Sequence, residues 1–409
     1  MRLLHLSLTN FRNYSRLELD PPAGVIVLQG DNAQGKTNLL EGIYYLSRMH
    51  SPRTSVDREL INWLALEDDL PFARLVGQIQ TEQQTDQIEL SLVQSSGRRP
   101  NNNAAVLRKH IRVNGVSKRI LDAVGLLSAV LFMPQDINLV SGAPYLRRRY
   151  LDDTISQMDP QYSRELQEYN RVLTQRNYLL KSLRDARNDS GQLLFWDQRL
   201  VEHGAYVTVR RQHATQLLDE FIQDIHPKLT AESEQLRLEY CASVRLERRP
   251  GTTYQIPLMA EHSTVAGPGS SLHAVAASFA EQLHEVRAKE LEQGVSIIGP
   301  HRDDFRFLAD GVDMNIYGSR GQQRTVTLSL KLAEVEWITQ EKVDKPLLLL
   351  DDVGSELDAL HRDCLWGAID RAQQVIITTT AVTQLDEAFL ERATRWQVRG
   401  GRIQELSHP

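Results

Sequence analysis

The chain has 409 residues, 41% of them hydrophobic, which is enough for two or three domains with real cores. Its formal net charge is −6, so any contact with nucleic acid has to come from a local basic patch and not from the overall balance. Its two cysteines, Cys241 and Cys364, lie far apart without metal or redox spacing, and no run of about 18 apolar residues could span a membrane.

The opening, MRLLHLSLTNF, lacks the apolar core of a signal peptide; with the cysteine usage this predicts a soluble, cytoplasmic protein. Leu4, Leu6 and Leu8 alternate with His5, Ser7 and Thr9, the pattern of a half-buried strand. GVIVLQG (24–30) reads as a buried strand, and a helix is predicted from Thr37 through Leu39, Leu40, Ile43 and Leu46. ARLVGQIQ (73–80) and QIELSLVQ (87–94) are predicted strands, and Asn114-Gly115 marks a hairpin turn. From Pro160 the period becomes helical: Tyr162, Leu166, Tyr169, Leu173, Leu180 and Leu183 share one face. After the polar ARNDSGQ, the run from Trp196 to Ile225 predicts a second long helix antiparallel to the first. At roughly 35–45 Å each, the pair forms a short hairpin and not a long rod. Residues 248–271, rich in Pro, Gly, Ser and Thr, read as a loop, followed by a helix at about 272–293 and a strand at VSIIG. The pattern predicts an α/β nucleotide-binding domain, 1–150 and 295–409, interrupted by a helical domain at 151–294.

The chemistry concentrates in three segments. GDNAQGKT (30–37) matches G-x-x-x-x-G-K-[ST] between a strand and a helix. Gly30 and Gly35 permit the tight turns that aim the amides of Asp31, Asn32, Ala33 and Gln34 at phosphates. Lys36 is expected at the β- and γ-phosphates of ATP, and Thr37 on Mg²⁺. The apolar strand of KPLLLLDDVGSELD ends at Asp351, a second candidate ligand of the Mg²⁺ shell. Asp352 is where a hydrolysing ATPase places a water-polarising carboxylate; a loop-capping role is the alternative. Ser319, Gly321 and Gln322 form S-x-G-Q before a predicted helix. This is the form of the ABC-type signature, which grips the γ-phosphate held by another subunit; a plain N-cap at Ser319 is the alternative. The three together predict an ABC-type ATPase head.

LTNFRNY (8–14), the P-loop segment (30–47), FMPQDINLVSGAPYLRRRYLD (132–152), GPHRDDF (299–305), SRGQQR (319–324) and LLLLDDVGSELD (347–358), in this order, resemble the RecF family of bacterial recombination-mediator ATPases. That family is similar to the head of SMC proteins with the coiled coil cut short. The resemblance implies a homodimer formed on ATP and binding to duplex DNA and to gapped or single-strand/duplex junctions. It further implies work with RecO and RecR in loading RecA, support of replication restart and SOS induction, and slow, DNA-stimulated hydrolysis used as a switch. It also implies that Gln135 acts as the ABC-type Q-loop glutamine and that Arg12 contacts nucleotide phosphates. Asp352 stands where transporter ATPases have Glu, and VIITTTAV (375–382) has threonines where they place a histidine. Both departures disfavour the competing reading, an ABC transporter subunit.

Between Leu90 and Leu121 there is no acidic residue, while Arg98, Arg99, Arg108, Lys109, Arg112, Lys118 and Arg119 are present. The block is read as a phosphate-binding DNA surface, against the alternative of a solvated hairpin. A second cluster, Arg147 to Arg149, either adds to such a surface or pairs internally with Asp152 and Asp153.

Overall fold

The computed structural model describes residues 1–95, 106–186, 190–245, 271–352, 359–380 and 387–406. The predicted loop at 248–271 therefore falls almost wholly outside the described residues, as do Arg98 and Arg99. In chain order the elements begin with β1 (Arg2–Phe11), β2 (Tyr14–Leu19), β3 (Gly24–Gln29), α1 (Lys36–Arg48), β4 (Phe72–Gln80), β5 (Thr85–Ser95), β6 (Val106–Val113) and β7 (Val116–Lys118). They continue with α2 (Ile120–Ala123), β8 (Ala129–Phe132), α3 (Asn138–Ser141), α4 (Pro144–Met158), α5 (Pro160–Ala186) and α6 (Leu193–Leu229). Next come β9 (Leu236–Cys241), α7 (Leu272–Gln293), β10 (Asp304–Ala309), β11 (Val312–Asp313) and α8 (Arg320–Glu341). The chain closes with β12 (Leu347–Asp351), α9 (Ala359–Arg371), β13 (Gln374–Thr379), α10 (Glu387–Glu391), β14 (Thr394–Arg399) and β15 (Arg402–Glu405).

The chain forms two compact units, Met1–Asp136 with Glu334–Pro409, and Ile137–Ala333. The second interrupts the first in sequence, as an inserted domain does. The divisions fall at 136/137 and 333/334, not at 150/151 and 294/295 as the sequence pattern predicted. The physical reason is local. The strand β10 pairs with β9 and β11 in a sheet of its own, so the α/β texture after residue 295 belongs at first to the inserted unit.

The first unit holds two six-stranded sheets. One is antiparallel, in the order β2-β1-β4-β5-β6-β7; the other runs β15-β14-β3-β13-β12-β8, with all but β15 parallel. The helix α1 buries Leu39, Leu40, Ile43 and Leu46 in one core with Leu6 and Leu8 of the first sheet and Ile26, Leu28 and Leu349 of the second. Strands of the parallel sheet carry unbroken apolar runs because both faces are covered; Leu347 to Leu350 are all buried. In β1 the buried leucines are Leu3, Leu6 and Leu8, with Leu4 only half-buried. A register shift between Leu3 and His5 moves the face by one residue, which the plain alternation of the sequence does not show.

In the inserted unit, α5 and α6 have 27 and 37 residues. Their pairings run antiparallel: Glu165 meets His203 at 2.7 Å, and Arg176 meets Asp197 at 2.8 Å. The segment VSIIG is not a strand. Its amides are taken by side chains instead: Ser296 N donates to Asn177 Oδ1 at 2.8 Å, Ile297 N to Glu290 Oε1 at 2.9 Å, and Gly299 N to Ser243 Oγ at 2.8 Å. Three of its five amides are thus held outside any strand ladder, so the β-rich composition does not form a strand here. Among the described residues no helix is long and apolar enough to cross a membrane.

Candidate nucleotide site

The strand β3 lies beside β13, and β13 beside β12, so the P-loop and the end of the leucine strand share one sheet edge. Gly30 and Gly35 have φ of 156° and 117°, and Ala33 adopts a left-handed φ of 63°. A side chain at Gly30 would place its Cβ 2.5 Å from the Val398 carbonyl. Gly35 caps α1 without a side-chain cap, and the first turn carries no acid. No residue of the first helical turn itself compensates its amides and the positive end of the helix dipole, an arrangement that suits an anion. Lys36 Nζ donates to the Gly30 and Asp31 carbonyls at 2.6 and 2.8 Å, which bends the side chain back over the loop. Burial lowers the affinity of this amine for its proton; the carboxylates of Asp352, Asp351 and Asp31 oppose that, Asp352 most strongly.

Residues 314 positions apart then meet. Thr37 Oγ1 lies 2.8 and 2.9 Å from the two carboxylate oxygens of Asp351, and Thr378 Oγ1 on the intervening strand donates to Asp351 Oδ1 at 2.8 Å. A hydroxyl and a carboxylate at hydrogen-bond distance are the hard oxygen donors that Mg²⁺ takes beside a phosphate. Thr37, Glu41, Arg53, Met133 and Asp351 pack around one narrow crevice too tight for a water molecule. Gln135 is exposed two residues beyond Met133, just past the end of β8, the strand paired with β12. Asp352 follows with a left-handed φ of 51°, its amide donating to Thr378 Oγ1 at 3.0 Å. Aspartate tolerates this left-handed conformation in loops, so the backbone here fits a loop-capping residue as well as a catalytic one.

Arg12 has its guanidinium engaged by the protein. Its Nε and Nη2 donate to Glu41 at 3.0 and 2.7 Å, and Nη1 to the Glu59 carbonyl at 2.9 Å. Glu41, only 1% exposed, also takes Arg53 at 3.3 Å and Ser51 Oγ at 2.5 Å. Neither Glu41 nor Thr378 was singled out from the sequence. For Thr378 the signal lies in VIITTTAV, whose threonines stand where transporter ATPases place a histidine.

In the inserted unit Ser319 is an N-cap. Its Oγ accepts the Gln322 amide at 3.2 Å while Gln322 Oε1 accepts the Ser319 amide at 3.1 Å, a reciprocal capping box opening α8. Gln322 Nε2 also donates to Glu234 at 2.9 Å. Ser319 and Gly321 remain exposed, and a Cβ at Gly321 would meet nothing closer than 3.9 Å.

The basic block does not form one face. β6 alternates, so Arg108, His110 and Arg112 face solvent while Lys109 turns inward, bonded to the Met49 carbonyl at 2.7 Å and to Asp57 at 2.8 Å. Lys118 pairs opposite Ile111, on the other parity, and Arg119 is bridged to Asp122 at 2.9 Å. Register instead brings Arg16, Thr9, Arg74, Ser91 and His110 into one row across the sheet. Of the second cluster, Arg147 pairs with Asp304 at 2.7 Å, Arg148 donates to the Asp303 carbonyl at 2.8 Å, and Arg149 meets Asp153 at 3.7 Å. Internal pairing prevails there, mainly with partners on and before β10.

The model of the RecF/RecN/SMC N-terminal domain matches residues 2–402. The DNA replication and repair protein RecF of Roseiflexus castenholzii is 40% identical over 98% of this chain and 99% of its own length. The chain belongs to the RecF family. The RecF of Oceanobacillus iheyensis is 37% identical over 98% of this chain and all of its own length. A solved structure of the recombination mediator protein RecF with ATPrS, in the RecFOR pathway, superposes with a TM-score of 0.82 at 28% identity, covering 99% of this chain and 98% of that one. The fold is accordingly the SMC-like, ABC-type ATPase head of this family.

Proposed function

We propose that this protein is an ATP-switched DNA-binding protein of recombinational repair. The observation that carries the reading is the meeting of Thr37 with Asp351 next to the Lys36 loop. ATP is held by residues 30–37, with Thr37 and Asp351 holding the Mg²⁺ that neutralises phosphate charge. Asp352 polarises the attacking water, and Gln135 senses the γ-phosphate. An Asp there is one methylene shorter than Glu, which suits slow hydrolysis used as a switch. Ser319 and Gly321 are exposed at a helix N-terminus, with Gln322 half-buried beside them, as a grip on a nucleotide held by a second copy requires, and ATP thereby drives a homodimer.

The dimer binds duplex DNA and single-strand/duplex junctions and acts with RecO and RecR in loading RecA; the related RecF described within the RecFOR pathway supports this placement. DNA phosphates are contacted by the outward face of the antiparallel sheet, through Arg108 and Arg112, while Arg74 on that face is held by Glu89 at 2.9 Å. In this reading Lys109 supports the sheet and does not touch DNA. The test is binding to duplex, gapped and single-stranded DNA with and without ATP. Tight binding to duplex and gapped DNA only with ATP is expected; binding indifferent to both nucleotide and strand structure would overturn the reading.

A further inference from the structure

We propose that Asn13, Tyr14 and the Gly400–Gly401 turn are positioning elements for nucleotide binding. They hold the carbonyls of Gln34 and Gly35 to the back of the P-loop, so that its amides face the phosphates. The inference rests on the reading of residues 30–37 as the ATP site.

A loop that converges its amides on an anion must turn carbonyls the other way, and each of those needs a donor. Here the donors are identifiable. Gln34 O receives Asn13 Nδ2 at 3.0 Å and the Gly401 amide at 3.1 Å. Gly35 O receives the Tyr14 hydroxyl at 2.9 Å, beside the first helical bond from the Leu39 amide at 3.0 Å. The Gln34 side chain is fixed as well, its Oε1 accepting the Gly400 amide at 2.8 Å. Asn38 Nδ2, one turn into α1, donates to Asn13 Oδ1 at 2.8 Å, which leaves the Asn13 amide nitrogen directed at the loop.

Packing leaves little slack. A Cβ at Gly35 would lie 2.5 Å from Asn13 Nδ2, and one at Gly401 would lie 2.6 Å from the Asn13 carbonyl. Asn13 and Tyr14 sit at the hairpin between β1 and β2, where Phe11 pairs with Tyr14, so two adjacent residues are delivered to two adjacent carbonyls. Tyr14 is fully buried, and burial pushes its phenol far above the usual range, so it stays a donor at every working pH. None of these groups touches a phosphate; they act through the loop.

Three variants of the full chain test this: Asn13→Ala, Tyr14→Phe and Asn13→Asp. Calorimetric titration with Mg-ADP and Mg-ATP should show each of the first two binding about tenfold more weakly, the loss of roughly one buried hydrogen bond. Nucleotide-free Asn13→Ala should unfold with a stability lowered by only about 1 kcal/mol, the one partly buried hydrogen bond it loses. Asn13→Asp sets a carboxylate against the Gln34 carbonyl. Relative to the parent its affinity should fall at neutral and higher pH and recover only as the pH drops towards about 4, where an aspartate carboxyl regains a proton to donate. A purely structural role would not move that profile. Should Tyr14→Phe not fold, the half-buried Asn13 position carries the test alone. Unchanged affinities, or losses that follow stability with no added pH dependence in Asn13→Asp, would overturn the proposal. A parent chain that binds no Mg-ATP would instead overturn the nucleotide reading beneath it.

Discussion

Replacing Glu41 by Gln removes the one carboxylate on which Arg12 and Arg53 converge. Glu41 is 1% exposed, and the Arg12 side chain 19%. Breaking a buried ion pair from one side costs about 3–5 kcal/mol, because the other charge is left without its counter-ion. Arg53, 42% exposed, recovers most of its hydration, so the loss rests on Arg12 and belongs at the lower end, about 3 kcal/mol. For a domain of about 200 residues that is a fall in Tm of roughly 6–12 °C. The exposed pair Glu168–Arg171, at 39% and 67%, serves as the control: Glu168→Gln should cost less than about 1 kcal/mol. Denaturant unfolding of the two variants beside the parent measures both. A Glu41→Gln midpoint as close to the parent as the control's would refute the view that the Arg12 hairpin, the P-loop helix and the following loop are tied through this carboxylate.

Asp352→Asn should retain ATP binding and stop turnover, prolonging the ATP-bound state; parental turnover in a steady-state phosphate-release assay would make Asp352 a loop residue only. Arg108→Glu with Arg112→Glu should weaken duplex binding for all sequences and flatten the plot of log affinity against log salt by about 0.9 for each DNA phosphate no longer neutralised. Lys109→Ala should lower stability through loss of Asp57 and leave that slope unchanged; a reversed pattern would return the DNA surface to the other parity of β6. His301 accepts or donates a hydrogen bond with Tyr169 Oη at 2.6 Å, and burial lowers its pKa to about 4. The unfolded chain takes up that proton near pH 6.5, so the stability this group contributes is full above 6.5 and is lost as pH falls towards 4, at most about 3 kcal/mol. Unfolding midpoints of the parent and His301→Gln between pH 7.5 and 4.5 check it, the variant being expected to lack this part of the decline.

Short-range chemistry was readable directly. The P-loop, the leucine strand, the Asn114-Gly115 turn and the two long helices follow from local pattern, since each element's burial repeats at its own period. What the sequence did not disclose depends on pairing at a distance. The face of β1 is set by a register shift against β4, and the parity of β6 separates Lys109 from Arg108 and Arg112. VSIIG loses its strand because Asn177, Glu290 and Ser243 reach its amides from other elements. Charge counted along the chain overstated the basic block for the same reason: Lys109 and Arg119 have counter-ions at Asp57 and Asp122. The back of the P-loop was hidden differently, because FRNY and RGG carry no chemistry until the fold sets them against Gln34 and Gly35.

The composite site is tested most directly by the mass of the particle in solution. Light scattering with a slowly hydrolysed ATP analogue should find a dimer for the parent chain. Ser319→Arg, which fills the space a γ-phosphate must enter, should be a monomer that still binds the analogue through Lys36. A Ser319→Arg chain that dimerises with the analogue as the parent does would contradict the account, because the nucleotide would then not be shared between two copies.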